Sequence, residues 1–386
     1  MLSEKVTERI AERLVDRIED LNTTILEEIG KAIKEIGELN TSRAYQVLQE
    51  LQYGGSYNKI INKLKQVTNL NEKQIYEIFE EVAKQDQNFA KQFYKYRDID
   101  YIPYEKNKAL QNQVKAIAKI TADQYINLMN TSAFMTIENG RRVYTPLSQI
   151  YQKTLDKAVL SLSQGKESYN TAMRKAMREL TDNGITTIDY ASGYRRRLDS
   201  SVRMSVLDGM RNVSNQLQVQ FGEEFGADGV EISVHENPAP DHENIQGKQY
   251  SNEAFERLNN RLERPISTMN CYHYVFSIVL GVSKPIYSEE QLKEIKKKNK
   301  EGFDFEGKHY SMYEGTQLQR QMETKIRTLK DRQIGARAMG DYEEVGNCQR
   351  KITQINHKYN DLCKVSGLKP KKIRMQVSGY KRVKVA

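Results

Sequence analysis

Between positions 235 and 273, His235, His242, Cys271 and His273 bring together three of the five histidines and one of the three cysteines in 386 residues. Imidazole and thiolate are donors that zinc favours, and four of them closing on one ion can stabilise a small domain without a large apolar core. The spacing departs from the common finger pattern, because one residue between Cys271 and His273 leaves too little room for the usual knuckle. Two other readings stand beside the metal. His235, Asp241 and His242 can brace an irregular loop, with Cys271 as a small buried filler, and the residue types favour this. Cys271 as nucleophile, His242 or His273 as base and Asp241 as orienter would suit acyl transfer, yet their spacing matches no nucleophile motif.

These residues lie where the pattern of the chain changes. Apolar positions Val6, Ile10, Leu14, Ile18, Leu21, Ile25, Ile29, Ile33 and Ile36 recur at steps of three and four, which predicts one long helix. Further helices are expected over 57–67, 71–96, 106–137, 147–162 and 166–180, so the chain reads as almost wholly helical to about residue 220. That stretch contains no βαβ alternation, no phosphate-cradling glycine loop and no HExxH pair. After Phe225-Gly226, Val230 to Val234 alternates like a strand. Turn residues Pro238, Pro240 and Gly247 follow, and Tyr274 to Leu280 is β-prone. Ser288 opens a helix, and 314–332 and 339–364 suggest a closing pair. A chain of this length exceeds one ordinary core. The expectation is an α+β protein: a long, mainly helical N-terminal region, a compact mixed domain, and a C-terminal helical pair with a basic tail. Its parts would be a helical arm (1–100), a helical region (101–199), the mixed domain (200–290) and the closing helices with tail (291–386).

Charge is unevenly placed. Of a formal +9, residues 291–386 carry 23 Lys/Arg against 11 Asp/Glu, leaving the rest of the chain slightly acidic. Lys364, Lys369, Lys371, Lys372, Arg374, Lys381, Arg382 and Lys384 follow Asp361 with no acidic residue among them. Such a run can contact phosphates in a sequence-independent, salt-sensitive way, or simply be a solvated tail. No apolar run is long enough to span a bilayer, and three cysteines suit a reducing compartment rather than a disulfide framework.

The run from Glu231 to Ser251 resembles the signature of the phage minor capsid protein 2 family, related to the head morphogenesis proteins typified by the F protein of phage Mu. The matching positions are His235, Pro240, Asp241, His242, Gln246, Gly247, Lys248, Tyr250 and Ser251. Asn270-Cys271-Tyr272-His273 is similar to that family's Asn-Cys-Arg-His, with Tyr272 in place of the arginine. Tyr287 to Leu292, Gln319 to Glu323, and Ile326-Arg327 with Lys330 resemble its continuation. Upstream, Arg203 and Arg211 fall where relatives carry an Arg-rich helix.

The resemblance implies a minor head component at the portal vertex of a tailed phage, assembled in the host cytoplasm. It would assist head assembly and DNA packaging or delivery. Its partners would be the portal protein, a major capsid or scaffolding protein and phage DNA, with no membrane. It would be structural rather than an enzyme and would need no cofactor, zinc being the ion the His/Cys set would take. Pro240, Asp241, Gln246, Gly247, Lys248 and Asn270 would shape the motif, Gly247 through a turn or close approach. Two competing classes are a metal- or thiol-dependent head-maturation hydrolase and a nucleic-acid-binding protein outside a virus.

Overall fold

The computed structural model describes residues 4–37, 55–68, 72–97, 100–138, 141–164, 169–188, 195–268 and 271–384. Helices α1 (Glu4–Gly37), α2 (Gly55–Thr68), α3 (Glu72–Arg97) and α4 (Lys108–Asn130) come first. Strands β1 (Ser132–Glu138) and β2 (Arg141–Pro146) precede α5 (Leu147–Gln164) and α6 (Tyr169–Asn183). Strands β3 (Ile185–Ile188) and β4 (Arg195–Arg197) lead into α7 (Leu198–Phe225). The mixed region holds β5 (Gly229–Ile232), β6 (Gln249–Ser251), α8 (Asn252–Asn259), β7 (Val275–Ile278), α9 (Glu289–Glu301), β8 (Phe303–Phe305) and β9 (Lys308–Tyr310). Helices α10 (Met312–Ala338) and α11 (Tyr342–Ser366) close the order, and a short basic turn follows at Lys372–Met375. This is the expected α+β arrangement, and among the described residues its strands form three small sheets.

The chain divides into two compact units, each assembled from three separate stretches. One contains residues 1–12, 71–125 and 203–317; the other contains 13–70, 126–202 and 318–386.

In the first unit, α7 packs closely on α3 and α4. A Cβ on Gly209 would fall 2.4 Å from the Phe79 ring and 2.6 Å from Thr121 Oγ1, so only glycine permits that approach. The sheet order is β6-β5-β7, antiparallel throughout, with β5 central and buried along its length. Ser288 caps α9 in a reciprocal box with Gln291, the third residue of the helix.

In the second unit, α1 buries Leu14, Ile18, Leu21, Ile25, Ile29 and Ile33, each at most 2% exposed. Its flanks bury Glu19, Asn22, Thr23 and Glu28 as well, so the helix needs polar partners in addition to an apolar one. At Gly30 an added Cβ would lie 2.5 Å from the Ala338 Cβ, which fixes a close approach between α1 and α10. The basic segment beyond α11 is docked against this unit. Lys330 Nζ donates to Met375 O (2.6 Å), Thr23 Oγ1 to Ser378 O (2.7 Å), and Val383 N to Gln349 Oε1 (3.1 Å).

One element departs from the expected helices. The helix predicted over 106–137 stops at Asn130, and Ser132–Glu138 is instead the second strand of the sheet β2-β1-β3-β4. The hydroxyls of Thr131 and Ser132 bond back to the carbonyls of Asn127 and Leu128 (3.0 and 2.6 Å), closing the helix end. Cross-strand pairing then outweighs helix propensity, with Thr136 and Thr145 joined side chain to side chain at 3.0 Å.

Glu28 offers a test of the packing in the second unit. Burial by itself would raise its carboxyl, but hydrogen bonds from Lys59, Ser56 and Lys31 outweigh this and bring it from 4.5 down to about 2. A carboxylate depressed in the folded state stabilises fully above its unfolded value and loses that contribution as pH falls through the folded one. Glu28→Gln is therefore expected to cost about 1–2 kcal/mol at pH 7, allowing for screening of the exposed lysines. The gap to the parent should close between pH 4.5 and about pH 2, read from urea unfolding at several pH values. A gap that stays constant across this range would show that the carboxylate is not the stabilising group.

Candidate metal centre

The site is built at one end of the sheet β6-β5-β7. Beyond β5 the chain makes a loop that returns to the strand it left: Gly247 N donates to Ile232 O (2.8 Å) and Ile232 N to Lys248 O (3.1 Å). Gly247 makes this return with φ +71°, and a Cβ there would meet Leu292 at 2.4 Å and Val234 at 2.8 Å. Within the loop, His242 N and Glu243 N both bond Ala239 O, a tight turn that carries the His242 ring inward. The chain leading to β7 supplies Cys271 and His273, tied to β5 by Ser233 N donating to Tyr274 O (2.8 Å). Ile232, Ile245, Ile266 and Cys271 form the apolar side of the site.

His242, Cys271 and His273 converge on the other side, their candidate ligand atoms all within 4.8 Å of one another. His242 and His273 are 3% and 0% exposed, and Cys271 is 9% exposed. Cys271 Sγ lies 3.2 Å from His273 Nδ1 and 3.6 Å from His242 Nδ1. A tetrahedral zinc with bonds of about 2.0–2.3 Å places sulfur and nitrogen ligands roughly 3.5 Å apart, so the spacing fits one ion.

The outer ring nitrogens determine what the inner ones can do. His242 Nε2 faces Arg264 O at 2.7 Å, and a carbonyl only accepts, so Nε2 carries the proton. His273 Nε2 faces Gln246 Oε1 at 2.9 Å; that oxygen also accepts from the His235 amide (3.2 Å), which fixes the orientation of the side-chain amide. His273 Nε2 therefore donates too. In the neutral rings both Nδ1 lone pairs are bare and aimed at one sulfur. Burial pushes the Cys271 thiol up. Burial, reinforced by His235 and His242, holds His273 down at about 2. One S–H proton cannot satisfy two lone pairs, and a second proton would create an imidazolium in a desolvated site. A divalent cation held by the Cys271 thiolate and the two Nδ1 atoms would satisfy all three. Arg264 O and Gln246 are then the outer partners that hold each ring in its ligating tautomer.

The remaining sequence candidates are distributed around this core. His235 is half-buried beside the triad: its ring lies 4.1 Å from that of His273, and its Nδ1 bonds Glu236 O at 2.7 Å. Asp241 pairs with the Arg264 side chain at 3.0 Å. Pro240 and Lys248 are exposed, and Asn270 lies outside the described residues. Tyr272 donates to Glu8 Oε1 (3.0 Å) while the Arg211 guanidinium lies over its ring at 5.0 Å. Arg211 thus brings a positive charge to the Tyr272 ring. Arg264 and Glu8 were not singled out as parts of this surrounding, because their partners are far away in sequence.

Of the basic candidates, Lys364, Lys369, Lys372, Lys381, Arg382 and Lys384 are exposed, whereas Lys371 and Arg374 are half-buried near Glu323.

The expectation of a protein that is not an enzyme needs correction. It treated Cys271 as filler and the histidines as loop braces, but the fold gathers three of these residues into a buried set able to coordinate a metal. Were an ion held there, three protein ligands would be the number that catalytic zinc sites supply. The site has capacity for metal binding and for the chemistry a metal supplies.

The family model for phage minor capsid protein 2 matches residues 2–364 of the chain. Neither the curated proteins nor the solved structures contain a match. The match spans nearly the whole sequence, and the chain belongs to the phage minor capsid protein 2 family.

The proton count makes the site testable. The protein purified without chelator is expected to hold about one zinc per chain, and Cys271→Ser or His273→Gln to abolish it. Gln246→Leu, which frees the outer nitrogen of His273, should weaken binding about 10–100-fold. Metal analysis and competition against a chromogenic chelator measure both. Substoichiometric metal in the parent, equally low in all variants, would rule the ion out.

Proposed function

We propose that the protein is a minor component of a tailed-phage head, located at the portal vertex and acting in head assembly and in DNA packaging or delivery. The family match carries this reading. The long helices supply docking surfaces for the portal and for capsid or scaffolding subunits. Along the chain, the helical regions (1–100 and 101–199) precede the 200–290 region, a rigid module held together by its His/Cys residues, and the 291–386 segment follows. No helix among the described residues is long and apolar enough to cross a membrane, in keeping with a particle-bound role.

Within this reading the basic segment contacts DNA. It is held by backbone hydrogen bonds to the second unit, so its cations are presented on a fixed surface. Sequence-independent contact of that kind neutralises phosphates and releases counterions.

The three-ligand set favours a second reading of the site itself. His242, Cys271 and His273 would hold the ion, which would supply Lewis-acid chemistry for a hydrolytic step in head maturation; were His235 to join them, the set would instead be a closed clamp. His235→Ala separates these. A closed site loses affinity for the ion, and an open one keeps it.

Two measurements test the placement and the DNA contact. Heads purified from infected cells are expected to contain the chain in a few copies, co-migrating with the portal; absence from both portal complexes and heads would refute the reading. Replacing Lys372, Lys381, Arg382 and Lys384 with Glu should weaken duplex DNA binding by more than about tenfold at low salt. It should also flatten the slope of log affinity against log salt by about 3–4. An unchanged slope would remove DNA from the partners of this segment.

A further inference from the structure

The second unit has a charged interior. Arg197 donates through Nε to Asp199 (3.2 Å) and through Nη2 to Asp331 (3.1 Å). Arg327 also donates to Asp199. Asp199 and Asp331 are 4% and 1% exposed. Despite these bonds, Arg197 Nη1, Asp331 Oδ1 and Asn22 Oδ1 are buried with no hydrogen-bond partner. All three residues line one small cavity, with Ile18, Glu19, Ile185, Asp199 and Val377 completing its wall.

The unpaired nitrogen of Arg197 lies beside the backbone of Gly184. Its guanidinium lies against Gly184, where a Cβ would come within 2.6 Å of Nη1 and where φ is +61°. The cavity leaves about 10 Å³ for the centre of a water-sized molecule. That is close to the roughly 10–15 Å³ that a single water needs.

We infer that this cavity binds one structural water, which accepts from Arg197 Nη1 and donates to Asp331 Oδ1 and Asn22 Oδ1. The groups present select the ligand. A bare cation would suit the two oxygens but face an N–H of a guanidinium. An anion would face Asp331, Asp199 and Glu19. Water alone both accepts one hydrogen bond and donates two, so the orphaned donor and both acceptors are satisfied together. The water joins α1, β4 and α10 at one point, elements separated by more than a hundred residues of sequence.

A crystal structure of the full chain at a resolution that shows ordered solvent is the direct test. A peak within about 2.7–3.2 Å of all three atoms is expected. An empty cavity, a metal ion there, or a direct Arg197–Asn22 bond would overturn the inference. Asn22→Leu provides an independent arm: it removes one acceptor and fills the space, and should lower the unfolding temperature by several degrees. Asn22→Ser, which keeps a hydroxyl acceptor and the space, should lose less. Equal melting of parent and Asn22→Leu would count against the water.

Discussion

Two ring nitrogens with bare lone pairs face one buried sulfur, and hydrogen bonding alone cannot satisfy that arrangement. The constraint comes from outside the triad. Arg264 O and Gln246 Oε1 each take the outer proton of an imidazole, and this leaves the inner nitrogens without one. Much of the surrounding unit can be understood as support for these two acceptors. The Gly247 return places Gln246, the Ala239 turn places His242, and the tie between Ser233 and Tyr274 brings Cys271 and His273 alongside. Tyr272 links the same short segment to Glu8 on α1 and to Arg211 on α7. The segment that carries Cys271 and His273 is thereby tied to both helices.

Polar groups also specify the second unit, in a different manner. Its helices bury carboxylates and arginines beside isoleucines, and each such charge must meet an opposite one or lose stability. Asp199 answers both Arg197 and Arg327, and Asp331 answers Arg197. Pairs of this kind add little net stability compared with apolar packing, but they tolerate few alternative registers. The same holds for the docked basic segment, whose backbone is received by Lys330, Thr23 and Gln349. What composition suggests is a loose cationic end is, for much of its length, an ordered part of the unit.

The helical periodicity of α1, the pairing of α10 with α11 and the change of character after Phe225 were legible in the sequence, because each depends on local pattern. The sheet β2-β1-β3-β4 was not. Ser132 to Glu138 contains Ala, Met and Glu, residues compatible with a helix, and its strand state depends on pairing with Arg141 to Pro146 and with Ile185 to Thr187. Asn139-Gly140 is a hairpin signal that could have shown it. At the metal centre the ligand types stood out, and so did Gln246 and Gly247. Which atoms meet could not be read, because Arg264 acts through its backbone carbonyl, a group every residue possesses. Cys271 illustrates the limit: spacing describes a filler and a ligand alike, and only convergence with His242, 29 residues earlier, distinguishes them.

The interleaving of the two units has a consequence for biosynthesis. Residues 13–37 of α1 belong with residues 318–384, so some three hundred residues must be made before the helix meets α10. Until then α1 lacks the close approach that α10 supplies at Gly30, and contacts of such sequence separation form slowly. The amphipathic helix is therefore left with part of its packing unmade while the intervening residues are synthesised.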